Sequence, residues 1–470
     1  MSDLASIDEM IAKARAAQSD FEQDATQERF DRAAEAVAWA LMEPTRNQAL
    51  SEFAVAETGI GNVPDKVIKN HRKTLGLLQD LQGVPTFGHI DEDEAAGLSY
   101  YLRPVGVVAA IVPSTNPLAT PVNNAVNALK TGNAIILAPS PKGAKPLARL
   151  LAYIHDELDK IGASRDLVQM LPNPPSKEKT AHLMAQADVL IATGSQNNVK
   201  SAYASGTPAI GVGMGNVAVI IDEGIDLDVA AAKIAASKTF DNATSCSSEN
   251  AVIALDSVYD EMLVALQKAG GYLLNEAQVQ SLEALYWQDG KMNRHMMAQD
   301  IEKVLAALSI TDAGDDVRFL IAPTDKSTKA DKISGEKMAL FFALYRAPNF
   351  PAAACLVQEI QTGQGAGHSV GIHTNDDEKA HYLALHLPTC RVIVNQAHCF
   401  ATGGSFDNGL PFSLSMGCGS WGGNGIDENF NWTHLVNQTR IARPIPPSEP
   451  SVDDIFGAYF KATGQSSQSG

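Results

Sequence analysis

The chain has no apolar run approaching the roughly 20 residues that a bilayer-spanning helix needs. Its opening residues, MSDLASIDEM, lack the apolar centre of a secretory signal. Neither a membrane-spanning helix nor export is expected. Positive charge is scarce as well: 36 Lys+Arg stand against 54 Asp+Glu, a formal net charge of −18. Such a surface repels nucleic acid and anionic lipid, so neither is expected as a partner. A binder of small anions would have to gather its few cations locally. Cysteine is sparse and irregular, with five residues at 246, 355, 390, 399 and 418. An odd count at those spacings suits neither a disulfide framework nor a zinc site, and fits reduced thiols in a cytoplasm. Internal repeats and low-complexity linkers are also missing.

What is present points to an α/β protein. At 470 residues, with 45% hydrophobic and 19% charged content, the chain is long enough for two domains. Ser6 and Glu9 in SIDE read as a capping box opening a first helix. TQERFDRAAEAVAWALM reads as a second helix stopping before Pro44, and a third ends near Gly59. GLSYYLRP (97–104) alternates like a half-exposed strand. From Val105 the texture changes: VGVVAAIVP, NAIILAP, LVQML, VLIAT and AVIID are short buried-strand runs separated by helix-length segments. After about Asp226 a second series begins, with EKMALFFALYR, HSVGIHT and RVIVN as later strands. Alternation of this kind predicts doubly wound parallel sheets. The expected division is one domain over 1–225, a second over 226–415, and a return segment with a tail over 416–470.

The glycine pattern GCGSWG (417–422) spells G-x-G-x-x-G but follows no strand and opens no helix, so it reads as a tight loop and not a phosphate cradle. Cys246 stands among Thr244, Ser245, Ser247 and Ser248, a poor apolar pocket. Its polar neighbours supply donors that favour a thiolate and turn a filler cysteine into a candidate nucleophile. A nucleophile that attacks a carbonyl needs a donor for the oxyanion it creates. Asn116, in IVPSTNPLAT at the end of a buried strand, is the candidate; its local chemistry equally suits a turn before proline.

PSTNP (113–117), ILAPSPK (136–142), IATGS (191–195), the Cys246 segment, EKM (336–338) and MGCGSWGGNGIDENFNWTHLVN (416–437) occur in this order over nearly the whole chain. Together they resemble the CoA-acylating branch of the aldehyde dehydrogenase superfamily, closer to its sulfoacetaldehyde and succinate-semialdehyde members than to the hydrolytic enzymes. The resemblance implies a fold of two doubly wound domains with a small oligomerisation arm, to which residues 98–104 and the C-terminal segment contribute, and a homo-oligomer of two or more subunits. It implies NAD, with NADP left open, as the hydride acceptor, bound by the first domain. Cys246 would be the nucleophile, Asn116 the oxyanion donor and His368 a histidine near the reacting centre. Ser140 and Lys142 match the loop beside the adenosine ribose, and Thr193, Gly194 and Ser195 match the turn under the pyrophosphate. Glu336 matches the carboxylate on the nicotinamide ribose.

Hydrolytic relatives use a glutamate to activate water, and its region here, AIGVGMGNVAVII, has none; from Val189 through Ile221 there is no Asp or Glu at all. That favours coenzyme A as acyl acceptor, a thiol depending less than water on a general base. NQAHCFATGGSF (395–406) is bulkier than expected, which makes His398 and Phe400 candidates for shaping the pocket around the aldehyde's substituent. Arg294 is a candidate for an anionic tail, because its fork matches a carboxylate or sulfonate. The expected activity is oxidation of a short aldehyde, sulfoacetaldehyde first, then succinate semialdehyde, then acetaldehyde, to its acyl-CoA. A hydrolytic dehydrogenase and a non-redox cysteine acyltransferase are the rivals.

Overall fold

The computed structural model describes residues 3–23, 25–326 and 332–466. Two parallel sheets carry the chain. The first has five strands in the order Val168–Met170, Ala134–Pro139, Val107–Val112, Val189–Ala192, Ala209–Gly211. The second has seven, in the order Gly271–Leu273, Phe319–Pro323, Phe341–Ala347, Glu249–Leu255, Val217–Ile221, Val370–His373, Val392–Val394. Their central strands are buried along their whole length, as parallel strands covered by helices on both faces must be. Each sheet has its own hydrophobic core. None of the helices among the described residues is long and apolar enough to cross a membrane.

Three boundaries differ from the sequence reading. The first helix runs Asp3–Gln23, so Ser6 lies inside it and does not mark its start. A boundary at 225 would leave AVIID with the first sheet, but Val217–Ile221 pairs with Glu249–Leu255 and Val370–His373 in the second. The crossover between sheets therefore lies between Gly211 and Val217. An apolar strand announces a parallel sheet without saying which one. The third difference is an added strand, Gly88–Asp93, whose charged sequence GHIDED gives no alternating signal. It completes a three-stranded antiparallel sheet with Leu98–Pro104 and Val436–Ala442. Outward-facing residues of that last strand and of the following helix, Val452–Thr463, are exposed.

The segment after the second sheet returns to the first domain: Phe412, Phe430 and Leu435 join the first core. GCGSWG there is a loop, with a short 3-10 turn at Ser420–Gly422, as its context predicts. Phe412 packs face-on against the Val63–Leu81 helix, where a Cβ on Gly76 would fall 2.3 Å from its ring. Glycine costs a helix interior about 1 kcal/mol relative to alanine, so packing and not propensity explains it. Gly76→Ala is expected to destabilise the protein by roughly 1–3 kcal/mol through overpacking, read from urea unfolding; a stabilised variant would contradict this packing.

Candidate active site

The predicted residues converge on one cleft, approached from opposite ends of the two sheets. In the first sheet they follow strands: Asn116 comes after Val107–Val112, Ser140 and Lys142 after Ala134–Pro139, and Thr193 to Ser195 after Val189–Ala192. In the second they precede strands: Cys246 before Glu249–Leu255, Glu336 before Phe341–Ala347, and His368 before Val370–His373. The first sheet reverses its winding between Val107–Val112 and Val189–Ala192. In open α/β sheets, that switch point at the carboxyl ends is where ligands bind.

Cys246 is mounted on a strained turn. Asp241, Asn242 and Ala243 all take left-handed φ values of 48°, 53° and 60°, each costing roughly 1–2 kcal/mol where the residue is not glycine. The turn is held from outside. The Asp241 N–H donates to the Asp65 carboxylate (2.7 Å), and the Asn242 amide donates to Asp300 (2.7 Å). The fully buried Asp241 carboxylate accepts from Lys66 (3.0 Å), Lys69, Thr244 (2.8 Å) and the Asn62 N–H (3.0 Å). The two lysines hold its carboxyl below the ordinary carboxylate range despite burial that pushes it up.

Lys69 does more than pair. Its ammonium also donates to Thr244 Oγ1 (3.0 Å) and to Asn116 Oδ1 (2.9 Å). All three of its protons are thereby used. With its oxygen engaged, the Asn116 amide has only its NH₂ left to offer. One ammonium thus fixes the orientation of the oxyanion candidate and braces the turn that carries the nucleophile. Neither Lys69 nor Lys66 was identified from sequence.

Cys246 Sγ lies 3.3 Å from His368 Nε2. His368 Nδ1 meets Ser369 Oγ at 2.8 Å, and Ser369 Oγ meets His398 Nε2 at 2.8 Å. With the thiol donating to His368, the hydrogen-bond order assigns Nδ1–H of His368 to the serine oxygen and the serine O–H to His398. Burial pushes His368 down to about 3, with the Arg391 charge acting the same way, so its imidazole is neutral. Burial also pushes the Cys246 thiol up to about 12, aided by the charges of Glu336 and Cys418. The polar neighbours therefore do not deliver a thiolate in the free protein; burial wins. His398, expected beside the substrate tail, instead stands fully buried behind His368. The backbone carbonyl of His368 is clasped by Arg391 (2.9 Å), which also donates to Gly417 O and Asn429 Oδ1.

The residues matched to the nucleotide lie on loops at the carboxyl ends of the first sheet's strands and, for Glu336, just before a strand of the second. Ser140 Oγ is buried without a hydrogen-bond partner. Ser195 caps the Gln196–Ala204 helix, whose first N–H groups face the cleft end of the sheet as an anion site. Gly194 takes φ 139°, open only to glycine. Thr193 Oγ1 is spent on Ser415 Oγ (2.6 Å), and Lys142 Nζ reaches Thr58 O (3.3 Å). Glu336 is raised to about 8 by burial, against the pull of Lys337 and a hydrogen bond from the Gly215 backbone. Its charge bears on Cys246, which ties it to the reacting centre. The orphaned Ser140 hydroxyl and the capped helix start after Gly194 fit a bound nucleotide, whereas the Thr193 hydroxyl is already engaged.

Phe400 packs its ring 4.6 Å from Phe240, beside the cysteine turn. Arg294 is not brought to this cluster: it is exposed, and no hydrogen bond or ion pair ties it to the described residues around Cys246. The loop expected to lack a catalytic glutamate runs directly behind the nucleophile. A Cβ on Gly215 would fall 2.2 Å from the Cys246 carbonyl oxygen, so a side chain there has no room.

A thiol within reach of an imidazole, with an amide of fixed orientation on the neighbouring turn, between two doubly wound sheets, is an arrangement suited to covalent catalysis. The sequence profile of the aldehyde dehydrogenase family matches residues 1–276, and the chain belongs to that family. It is 54% identical to a sulfoacetaldehyde dehydrogenase (acylating) of Cupriavidus necator, over 97% of this chain and 92% of that one. It is 36% identical to a succinate-semialdehyde dehydrogenase (acetylating) of Clostridium kluyveri, over 97% and 100%. The crystal structure of an acetylating aldehyde dehydrogenase from Geobacillus thermoglucosidasius superposes with a TM-score of 0.91 at 33% identity, covering 96% of this chain and 98% of that one.

A thiol raised to about 12 has a testable signature, since only the thiolate is alkylated. In the nucleotide-free protein, alkylation of Cys246 by iodoacetamide should keep rising through pH 10. A plateau near pH 8 would show that the thiol ionises in the ordinary range.

Proposed function

We propose that the protein oxidises a short aldehyde with NAD and transfers the acyl group to coenzyme A, with sulfoacetaldehyde as the leading substrate. The observation that carries this reading is that the loop packed on Cys246 brings no carboxylate to it: residues 189–221 contain no Asp or Glu, and a Cβ on Gly215 would already fall 2.2 Å from the Cys246 carbonyl oxygen. A thiol acceptor depends less than water on such a base. The names of the relatives, acylating and acetylating, agree with it.

His368 Nε2 takes the Cys246 proton as sulfur adds to the aldehyde carbon, giving a thiohemiacetal. The Asn116 NH₂, oriented by Lys69, donates to the alkoxide; preorganised donors of this kind are worth about 3–4 kcal/mol. NAD would be held by Ser140, Lys142, Thr193 to Ser195 and Glu336, and would take the hydride whose loss leaves a thioester on Cys246. His368 gives up the proton it took from Cys246 to solvent. The sulfur of coenzyme A then attacks the thioester carbonyl, the freed His368 accepts the incoming thiol proton, and Cys246 leaves as thiolate to recover that proton. Ser369 and His398 hold the imidazole in the tautomer this requires.

NAD is the cofactor in this reading, with NADP to be compared alongside, and reduced thiols suit a cytoplasmic enzyme. The exposed strand Val436–Ala442 and the apolar residues Ile455, Phe456 and Tyr459 on the last helix suit burial against a second copy of the chain, as an edge of this kind needs covering.

The test is NADH formation from NAD and sulfoacetaldehyde, succinate semialdehyde or acetaldehyde, with and without coenzyme A. Sustained turnover only with coenzyme A is expected, fastest with sulfoacetaldehyde. Equal rates without it would mean that water releases the acyl group and would overturn the acylating reading.

A further inference from the structure

One charge beside this cleft has no counter-charge. Lys73 follows Lys66 and Lys69 on the same face of the Val63–Leu81 helix and is 8% exposed. Its ammonium donates to the carbonyls of Gly403 and Gly404, the latter at 3.3 Å. Two of its three protons are used; the third has no acceptor. Among the described residues, no carboxylate lies within ion-pair distance of it. Asp80, whose carboxyl feels its charge, is engaged by the Phe412 N–H (2.6 Å). Lys69 is saturated, and Arg72 and Lys69 add positive charge around it. Burial pushes the Lys73 ammonium down to about 7; an anion seated against it would restore the charged form, since buried charges are ordinarily paired.

The adjoining helix, Ala119–Lys130, has unused donors of its own. The Thr120 hydroxyl and the Asn124 amide are wholly buried and without hydrogen-bond partners. They stand four residues apart and share a face with Asn123 and Asn127. The Asn123 amide donates to Phe412 O (3.5 Å), and the Lys73 ammonium lies 5.5 Å from the centre of the Phe412 ring. The polar face and the cation thus flank one phenylalanine. The orphaned oxygens of Asn123 and Asn127 suit an ordered water. The Thr120 and Asn124 donors suit an acceptor.

We infer that Lys73, Thr120 and Asn124 form the seat for the anionic tail of the aldehyde, and that the tail they fit is a sulfonate. The inference rests on the reaction proposed above and names its specificity determinants. Lys69, which holds Asn116, and Lys73 are one turn apart, about 6 Å along the helix. In a two-carbon sulfonated aldehyde the sulfur is two bonds from the carbonyl carbon, so a tail seat has to lie close to Cys246 and Asn116, and Lys73 is one turn from the lysine that holds Asn116. The Cys246 and Cys399 thiols are close enough to act on the Lys73 charge. Three unused donors match three sulfonate oxygens; a planar carboxylate offers two.

The test compares wild type with Lys73→Gln, Asn124→Leu and Thr120→Val on sulfoacetaldehyde and acetaldehyde, with NAD and coenzyme A present. Ethanesulfonate serves as an inhibitor that carries the tail without the aldehyde. A charged hydrogen bond of this kind is worth roughly 10- to 100-fold. For Lys73→Gln, the ratio of kcat/KM for sulfoacetaldehyde to that for acetaldehyde should fall at least tenfold, mainly through KM. Competitive inhibition by ethanesulfonate should weaken equally. Parallel losses on both aldehydes with unchanged inhibition would overturn the inference. If Lys73→Gln fails to fold, the two variants of the neighbouring helix must show the same shift in ratio. The two readings fail separately: wild type that needs no coenzyme A for any aldehyde overturns the reaction, whereas coenzyme A-dependent turnover with an unshifted ratio overturns only the tail seat.

Discussion

The site depends on one buried carboxylate. Taking Asp241, Lys66 and Lys69 out of water costs several kcal/mol per ion, and the fold recovers this only because the charges meet in good geometry with both carboxylate oxygens engaged. Asp241 has four donors on it, drawn from both sides of the cleft. That network fixes three left-handed residues in a row, Asp241 to Ala243, separated from Cys246 by two residues. It also sets the position of Lys69, through which the first domain's asparagine is oriented. Removing one partner would leave an unpaired charge in a dry interface, a loss of about 3–5 kcal/mol, so strain, docking and catalysis share the same few atoms.

Burial governs the chemistry as strongly as charge. In the free protein the thiol is pushed up to about 12 and its histidine down to about 3, so the pair rests as neutral thiol and neutral imidazole. An enzyme that must hold a reactive sulfur in water without losing it to oxidation gains from this state. Activation then falls to whatever positive charge arrives with the ligands, since an opposite charge nearby lowers a thiol pKa. The raised carboxyl of Glu336 belongs to the same logic: burial favours its neutral form, and when it does ionise its charge holds the Cys246 thiol protonated.

Much of the architecture was legible because buried parallel strands and amphipathic helices have distinct periods. Most of the longer strands and the loop nature of GCGSWG follow from segments read in order, but the short strands Ala209–Gly211 and Gly271–Leu273 and the strand Phe319–Pro323 went unnamed, and AVIID was read with the wrong sheet. The grouping of Cys246, Asn116 and His368 came from the family resemblance. The brace was not legible. VPDKVIKNHRKTLGLLQDL has lysines at i, i+3 and i+7, the pattern of a solvated face, and periodicity does not tell an inward stripe of charge from an outward one. The partner that decides it, Asp241, lies 172 residues from Lys69. Arg294 shows the converse: the fork of an arginine suits a sulfonate, but side-chain chemistry carries no address, and the buried cations stand on another helix.

The central claim is that Lys69 acts through Asn116, and a double-mutant cycle on kcat tests it most directly. Asn116→Ala should lower kcat by roughly 10²–10³, and Lys69→Met should lower it too, by misorienting the same amide. If the amide is the route, Lys69→Met added to Asn116→Ala should cost little more, giving a large coupling energy. Losses that simply multiply in the double variant would show that the lysine and the asparagine act independently, and would contradict the account.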